Sequence, residues 1–345
     1  MATLTTPHER ALNLLFAELE RGAREQGQAF MGTPGSVAER SNAQGTRFWS
    51  HRYLDAAGKR HEAYLGTLDD PTAAERVDTL ETKIAIANAT INSVRLLARA
   101  GFATVDRKPF FTLASLHNHG LFAAGAFVVG SHAYGALLNS LGVRAVPYAT
   151  EDIDIARGGV LNVSGSESFL EMLQVTGIPF FETPPLNRKD PSTSFGERGM
   201  SRLRVDLLAP SRNEAHTIVA VPELKAHAAG LPYLAYLLGV PQDVLMLSTH
   251  GVVIARVPVP ERYAIHKLIV SQLRSKASNK PDKDLLQAAT LIEVLVERFP
   301  GAVEAALESI PKSSTRYVRQ AVKALKLHLP ASAEMAWDAL ASFSA

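Results

Sequence analysis

Apolar residues recur at every third or fourth position over long parts of the chain, a spacing that is typical of helices burying one face. Near the N-terminus this pattern predicts helices over residues 7–26 and 72–100, the second of which ends at Gly101. The remaining predicted helices cover residues 110–119, 132–141, 166–176, 261–277, 283–299, 302–310, 314–329 and 332–343.

Alternation of apolar and polar residues, which is typical of strands, is confined to the first and middle parts of the chain. Within residues 48–66, aromatic and aliphatic residues flank the turn-forming sequence DAAGK, which predicts a β-hairpin. The stretch 184–201 is rich in proline, serine and glycine and predicts a loop. The other predicted strands cover residues 124–129, 152–156 and 202–210, and a second hairpin covers 243–260.

The order of these elements predicts three parts. Residues 1–107 form an N-terminal segment with helices and a hairpin, residues 108–259 mix strands with helices, and residues 260–345 form a helical domain. A length of 345 residues is sufficient for two domains. We therefore predict an α/β (α+β) core with a mixed sheet, extended by a C-terminal helical domain.

Composition narrows the chemistry that is available. The chain has no cysteine, which excludes disulfides, thiolate-bound zinc, iron–sulfur clusters and a cysteine nucleophile. The formal net charge is +2, so contact with nucleic acid would need a local basic patch. The N-terminus lacks the pattern of a signal peptide and no apolar run is long enough to cross a bilayer. We therefore expect a cytoplasmic protein without a membrane partner.

Two aspartates, Asp152 and Asp154, flank a single isoleucine in the segment EDIDIA. On a strand they point to the same face, while Ile153 and Ile155 point to the other. Two carboxylates this close repel each other unless a cation lies between them, and their oxygens suit Mg²⁺. The alternative is an edge strand with a solvated outer face, and the motif alone leaves both interpretations open.

The neighbouring motifs favour the metal site. The sequence VVGS, which ends in Gly130 and Ser131, is typical of a strand, a tight turn and the start of a helix. Glycine lets the backbone approach a ligand, and the amide groups at a helix N-terminus favour phosphate. A third aspartate, Asp206, lies in the predicted strand 202–210. A phosphate cradle and three carboxylates for two metal ions are sufficient for phosphoryl transfer.

Taken in order, the Gly130-Ser131 pair, the motif from Asp152 to Asp154, and Asp206 resemble the signature of DNA polymerase β-like nucleotidyltransferases. The form T-x-D-I-D is similar to that of bacterial AbiE-type toxins and related nucleotidyltransferase-fold proteins. The gap between the glycine–serine pair and the first aspartate is longer than is usual in the superfamily. An extra turn or short strand would absorb the additional residues.

The resemblance implies a role for each motif. Gly130 and Ser131 would bind the phosphates of an NTP such as ATP. Asp152 and Asp154 would hold two Mg²⁺ ions, with Mn²⁺ as an alternative. Asp206 would ligate one of these ions and help to activate the acceptor hydroxyl.

A lysine after residue 260 is a further candidate for nucleotide binding. In the AbiE-type group a lysine in a similar pattern is thought to meet the triphosphate. Lys267 is preferred here to Lys283 and Asp284, because Ile265 and Leu268 place it on a buried amphipathic helix. The alternative is a solvated charged face, which is where such runs of charged residues more commonly lie.

The segment 187–204 combines basic residues with Phe195. Such a mixture can contact phosphates and stack a base, and a mobile surface loop of mixed charge is the alternative. The candidate acceptor contacts in this segment are Arg188, Lys189, Arg198 and Arg204.

These motifs predict a Mg²⁺-dependent enzyme that transfers a nucleotidyl group from an NTP to an acceptor hydroxyl and releases pyrophosphate. The acceptor is open between RNA (such as a tRNA end), a protein side chain and a small molecule of the aminoglycoside type. A toxin-type enzyme with an antitoxin partner is one form of this prediction. The alternative is a non-catalytic nucleotide- or partner-binding protein that retains the fold.

Overall fold

The computed structural model describes residues 3–146, 150–199, 202–211, 217–275 and 279–344. The chain begins with a short strand and a helix, followed by a three-stranded antiparallel sheet and a long helix. These elements are β1 (Thr6–Pro7), α1 (Arg10–Gln26), β2 (Ser36–Ser41), β3 (Arg47–Leu54), β4 (Arg60–Thr67) and α2 (Pro71–Arg99).

The N-terminal sheet confirms the predicted hairpin and adds one strand to it. β3 pairs with β4 as an antiparallel hairpin, with Tyr53 opposite His61. β2 was not predicted because its sequence SVAERS is mostly polar, but it pairs with β3 along its whole length. α2 confirms the predicted helix 72–100 and begins where the Asp70 side chain accepts a hydrogen bond from the Thr72 amide.

The middle of the chain folds into a mixed sheet with helices packed on it. Its elements are α3 (Arg107–Asn118), β5 (Ala126–Val129), α4 (Gly130–Ser140), β6 (Val143–Arg144), β7 (Asp152–Arg157), α5 (Phe169–Gln174), β8 (Phe180–Glu182), β9 (Ser194–Glu197), β10 (Arg204–Ser211), β11 (Thr217–Val221), β12 (Ala226–Pro232), α6 (Leu234–Leu237), β13 (Pro241–Ser248) and β14 (Gly251–Pro258).

The main sheet has the strand order β11–β12–β10–β7–β5, and β9 lies between β10 and β8. β10 is parallel to β7 and to β12, whereas the remaining pairs are antiparallel. The predicted mixed sheet is therefore confirmed. The pairing of the strands places the beginnings of β7 and β10 at the same edge of the sheet as the end of β5.

Four strands of this region, β8, β9, β11 and β12, were missed by the sequence patterns. The predicted loop 184–201 is wrong over residues 194–197, because β9 pairs with neighbours on both sides. Its short sequence SFGE is held by backbone hydrogen bonds that composition does not reveal. β11 and β12, which pair with each other, were not predicted either.

The long gap between the glycine–serine pair and Asp152 contains the short strand β6. It pairs antiparallel with β1, with Arg144 opposite Thr6. The expectation that a short strand absorbs additional residues is confirmed, although residues 147–149 of this gap lie outside the described part of the chain.

The predicted hairpin 243–260 is also confirmed, as β13 and β14. It packs against α1, α2 and α3 and against β5. A small second hydrophobic cluster lies between the hairpin and the N-terminal segment. Its buried members are Phe16, Val94, Leu97, Phe102, Leu245 and Leu247.

The C-terminal part is helical, as predicted. Its helices are α7 (Pro260–Leu273), α8 (Lys280–Arg298), α9 (Ala302–Glu308), α10 (Thr315–Ala324) and α11 (Glu334–Ala339). α7 packs against α8, α9 and α10, so most of its side chains are buried. The last two residues predicted for this helix, 276 and 277, lie outside the described residues.

One hydrophobic core continues from the main sheet into these helices. Val128 and Ile155 of the sheet and Ile265 and Leu291 of the helices are fully buried in the same cluster. α7 and α8 are thus fixed against the sheet, and the division of the chain at residues 107 and 259 stays a prediction. Within the described ranges, no helix combines the length and the apolar character needed to span a bilayer.

Candidate active site

The three aspartates of the sequence motifs meet at one edge of the main sheet. In the parallel pair β7–β10, Asp154 lies opposite Asp206. Neighbouring strands are about 4.8 Å apart, so the two side chains are close neighbours. Ile153 and Ile155 are fully buried, while Asp152 is exposed and Asp154 is partly exposed. The prediction that the two aspartates of β7 share one face is confirmed.

The electrostatic environment makes Asp154 unusual. Burial is the main reason that the pKa of Asp154 is raised to about 6. The charges of Asp206 and Asp152 raise this pKa as well, while those of Lys267 and Arg274 lower it. Among the described residues, no cation therefore offsets the burial of this carboxylate, and a bound divalent ion would do so.

Two partners hold Asp206. Its Oδ1 accepts a hydrogen bond from the hydroxyl of Ser194 on β9, and its Oδ2 lies 2.9 Å from Nη2 of Arg204. Nε of Arg204 also lies 3.9 Å from Oδ1 of Asp152. The sequence predicts Arg204 as an acceptor contact, but the structure places its guanidinium on two of the three carboxylates.

Gly130 lies directly against Asp154. Its φ is +68°, and a Cβ at this position would lie 2.1 Å from Oδ2 of Asp154. The carbonyl oxygen of Gly130 accepts a hydrogen bond from the hydroxyl of Tyr263 on α7, at 2.7 Å. Glycine is therefore required both by the left-handed backbone and by the close approach to the carboxylate.

Lys283 reaches the next residue of the turn. Its amino group donates a hydrogen bond to the hydroxyl of Ser131, at 2.8 Å. Burial is the main reason that the pKa of Lys283 is lowered, and the charge of Lys267 lowers it further. A positive side chain thus lies at the N-terminus of α4, although the sequence pattern had favoured Lys267 over Lys283.

Lys267 lies deeper in the structure, in a buried ion pair. It is 7% exposed, and its amino group lies 2.6 Å from Oδ1 of Asp284. The second oxygen of Asp284 lies 2.5 Å from Nε of Arg274. Two cations share one carboxylate here, and both lower the pKa of Asp154. These three side chains therefore carry a net positive charge close to the aspartates of the sheet.

The segment before β10 keeps only part of its predicted role. Phe195 is 1% exposed, and its ring packs against that of Phe169 at a centroid distance of 5.0 Å. The prediction that Phe195 could stack a base is therefore wrong. Arg188, Lys189 and Arg198 are exposed and stay candidates for acceptor contacts.

A cavity of about 530 Å³ lies beside α4. Its described lining includes Ser131 and Thr150 together with apolar residues such as Val105 and Leu138, but none of the three aspartates. It is therefore adjacent to the predicted phosphate cradle rather than to the atoms that would react.

The donor groups at the sheet edge fit a hard divalent cation in kind. Carboxylate oxygens are the ligands that Mg²⁺ prefers, and the missing side chain of Gly130 leaves space at Oδ2 of Asp154. Over the described part of the chain, however, no three His, Asp or Glu side chains form a ready cage for a metal ion. Each carboxylate oxygen of Asp206 already has one partner, Ser194 at Oδ1 and Arg204 at Oδ2. A metal ion at Asp206 would therefore compete with the guanidinium of Arg204.

A mixed sheet with carboxylates at one edge, and a glycine–serine turn that leads into a helix, defines a class of proteins suited to transfer of phosphate-bearing groups. A family model described as Nucleotidyltransferase matches residues 112–311, more than half of the chain. The protein belongs to this nucleotidyltransferase family. The match includes every site residue described above and leaves the N-terminal sheet outside. Comparison with curated proteins and with solved structures gave no match.

Replacing Gly130 with alanine tests the contact between the turn and Asp154. The new Cβ would lie 2.1 Å from Oδ2 of Asp154 in a left-handed backbone, so the carboxylate must move. We expect the free energy of unfolding, measured by urea denaturation, to fall by about 3 kcal/mol.

Gly45→Ala is the matched control, because Gly45 has a φ of +80° and open space around the added Cβ. It should lower the free energy of unfolding by about 1 kcal/mol, which is the effect of the left-handed backbone conformation alone. In an Asp154→Ala background, the excess cost of Gly130→Ala over Gly45→Ala should disappear. An excess that persists there would contradict the assigned contact.

Asp154→Asn should stabilise the metal-free protein in a pH-dependent way. The folded pKa of about 6 lies above the ordinary value of 3.8, so the stability linked to this group is complete below about pH 4 and is lost as the pH rises through 6. In EDTA at pH 7.5, the free energy of unfolding of the variant should exceed that of the wild type by about 3 kcal/mol in urea denaturation. The difference should vanish near pH 4.

Asp152→Asn is the control for this measurement, because Asp152 is exposed. It should change stability by less than about 0.5 kcal/mol at either pH. A gain of equal size at both pH values in Asp154→Asn would show that ionisation of Asp154 is not its cause.

Proposed function

We propose that this protein transfers a nucleotidyl group from an NTP to an acceptor hydroxyl and releases pyrophosphate. The observation that carries the proposal is the strand register that sets Asp154 opposite both Asp206 and Val129, the residue before the glycine–serine turn. Carboxylates and a phosphate cradle are thereby adjacent. Membership of the nucleotidyltransferase family supports the same reaction class.

Asp152, Asp154 and Asp206 would hold two Mg²⁺ ions, with Mn²⁺ as an alternative. When bound, the ions would align the α-phosphate with the acceptor oxygen and neutralise the charge that develops during transfer. Asp206 would in addition accept the proton of the acceptor hydroxyl. Its strand pairs with β9, and the exposed basic residues Arg188 and Lys189, which would bind the acceptor, precede β9 in the chain.

The triphosphate would bind at the N-terminus of α4. The backbone amides of Gly130 and Ser131 lie there, and glycine allows a phosphate to approach closely. We assign the direct phosphate contact to Lys283, whose amino group is already at the Ser131 hydroxyl. Lys267 would act through its charge, because its amino group is bound to Asp284.

RNA is the acceptor that we favour. Arg188, Lys189 and Arg198 are exposed close in sequence to Ser194, whose hydroxyl contacts Asp206. Such residues can bind the phosphates of an RNA whose terminal hydroxyl lies at the aspartates. The resemblance to AbiE-type toxins extends the proposal to a toxin-type enzyme that is restrained by an antitoxin partner.

Transfer can be followed by incubating the protein with each α-labelled NTP, Mg²⁺ and total cellular RNA. We expect labelled RNA from at least one NTP. Asp154→Asn should reduce the rate by about a thousandfold, which corresponds to roughly 4 kcal/mol of transition-state stabilisation. Lys283→Met should mainly raise the KM for the NTP. Asp78→Asn, at an exposed position of α2, is the matched control and should retain full activity.

Each alternative gives a different result in this assay. Label in protein or in a small molecule would exclude RNA as the acceptor. Binding of NTP without any labelled product would favour the non-catalytic alternative. Full activity of Asp154→Asn would contradict the assignment of the aspartates.

Arg204→Gln tests whether the guanidinium competes with metal for Asp206 and Asp152. The substitution removes one positive charge from these carboxylates, so we expect Mn²⁺ to bind about two- to fivefold more tightly. Electron paramagnetic resonance of free Mn²⁺ measures this affinity without NTP. Arg198→Gln removes the same charge from an exposed neighbouring position and should leave the affinity unchanged. Weaker Mn²⁺ binding by Arg204→Gln would show that Arg204 supports the metal site.

A further inference from the structure

The N-terminal sheet β2–β3–β4 has one face packed on α2 and one exposed face. A Cβ at Gly66 of β4 would lie 2.5 Å from Cβ of Ala73 on α2, so these two elements are in close contact. Cross-strand partners identify the residues of the opposite face, because paired residues share a face. We name it the arginine face, and its outward residues are Arg40, Phe48, Arg52, Arg60, Glu62 and Tyr64.

Positive charge exceeds negative charge on the arginine face. Oε1 of Glu62 lies 3.1 Å from Nε of Arg40 and 4.0 Å from Nε of Arg52. Arg60 is exposed at the start of β4. Two guanidinium groups therefore share one carboxylate and a third lies on the same face, in a chain whose total formal charge is +2. This is the kind of local patch that a nearly neutral protein needs to bind nucleic acid.

Two aromatic rings lie among these charges. The rings of Phe48 and Tyr64 have centroids 5.5 Å apart, and Tyr64 is 63% exposed. An exposed aromatic ring on a sheet gives an unpaired base a surface on which to stack. Bases within a duplex are already stacked on each other, so the exposed ring favours a single strand.

The centre of the face favours nucleic acid over a protein partner. Protein interfaces are depleted of charge at their centre. Here the centre is polar, because the hydroxyl of Ser50 donates a hydrogen bond to Glu62 at 2.8 Å, with Arg40 and Arg52 on either side. Guanidinium groups bind phosphate through paired hydrogen bonds and also stack on bases.

A series of contacts joins this sheet to the aspartates. Nη2 of Arg107 donates a hydrogen bond to the carbonyl of Asp55, in the β3–β4 turn, at 2.6 Å. The next residue, Lys108, lies 2.8 Å from Glu197 at the end of β9. β9 in turn pairs with β10, the strand that carries Asp206. These contacts hold the N-terminal sheet at a fixed position relative to the strand that carries Asp206.

We propose that the arginine face binds single-stranded nucleic acid and that the end of this strand is the acceptor presented to the aspartates. The second half rests on the proposed nucleotidyl transfer, whereas binding itself needs neither NTP nor metal. RNA and DNA share the phosphates and bases that the face would contact. Binding is therefore measured with both.

Fluorescence anisotropy of labelled RNA and DNA of roughly twelve nucleotides, in EDTA, measures the binding. The wild type should bind the single strand, with an affinity that falls as salt rises. Arg52→Gln combined with Arg60→Gln should reduce the slope of log affinity against log salt by about 1.4. Tyr64→Leu should weaken binding about tenfold without changing that slope, because it removes stacking rather than charge.

Two controls separate this inference from the proposed reaction. Arg319→Gln removes one positive charge from an exposed position of α10 and should leave both affinity and slope unchanged. Asp154→Asn should bind nucleic acid as the wild type does, even though transfer is lost. A failure of nucleotidyl transfer would therefore leave the binding result intact.

Absence of binding to both oligonucleotides would overturn the proposal. So would a loss of affinity in Arg319→Gln equal to that in the Arg52→Gln, Arg60→Gln variant, and the arginine face would then be assigned to a protein partner. Tighter binding of RNA than of DNA would support the arginine face as a binding site and identify RNA as its ligand. If transfer to RNA proceeds with an unchanged acceptor KM in the Arg52→Gln, Arg60→Gln variant, the end of the bound strand is not the acceptor.

Discussion

The parallel pairing of β7 with β10 sets two carboxylates, those of Asp154 and Asp206, side by side at one edge of the sheet. Repulsion between them is the constraint that the surrounding residues must offset. Arg204 and Ser194 bind Asp206, and burial moves Asp154 toward its neutral form. The guanidinium of Arg204 contacts Asp206 and Asp152, whereas Asp154 is partly neutralised by burial. Without metal, the repulsion is therefore reduced in a different way at each of the two facing carboxylates.

The C-terminal helices complete this site rather than only supporting it. Tyr263 of α7 binds the carbonyl of Gly130, and Lys283 of α8 binds the hydroxyl of Ser131. The position of the glycine–serine turn is thus fixed from the side of the helices, while the contact with Asp154 fixes it from the side of the sheet. The hydrophobic core is likewise continuous between sheet and helices, and the family match extends to residue 311, beyond α8.

Local patterns predicted the features of the site that depend on neighbouring residues. The common face of Asp152 and Asp154 follows from strand alternation alone. The roles of Lys267 and Lys283 do not, since both lie on helices and only the packing of α7 on α8 shows which one reaches the turn. The prediction that Phe195 stacks a base was wrong for the same reason. An aromatic residue in a polar segment is typical of an exposed loop, and only long-range pairing of β9 reveals that it is buried.

The N-terminal segment, which precedes the matched residues 112–311, is attached to the matched part at defined points. The strand β6, in the lengthened gap before β7, pairs with β1, with Arg144 opposite Thr6. The side chain of Asn139 on α4 both donates to and accepts from the backbone of Ala103, each at 2.8 Å. These contacts hold the N-terminal segment against the helix that begins at the glycine–serine turn. A ligand bound on that segment would therefore be held at a fixed position relative to the carboxylates, and such positioning is itself a source of rate acceleration in group transfer.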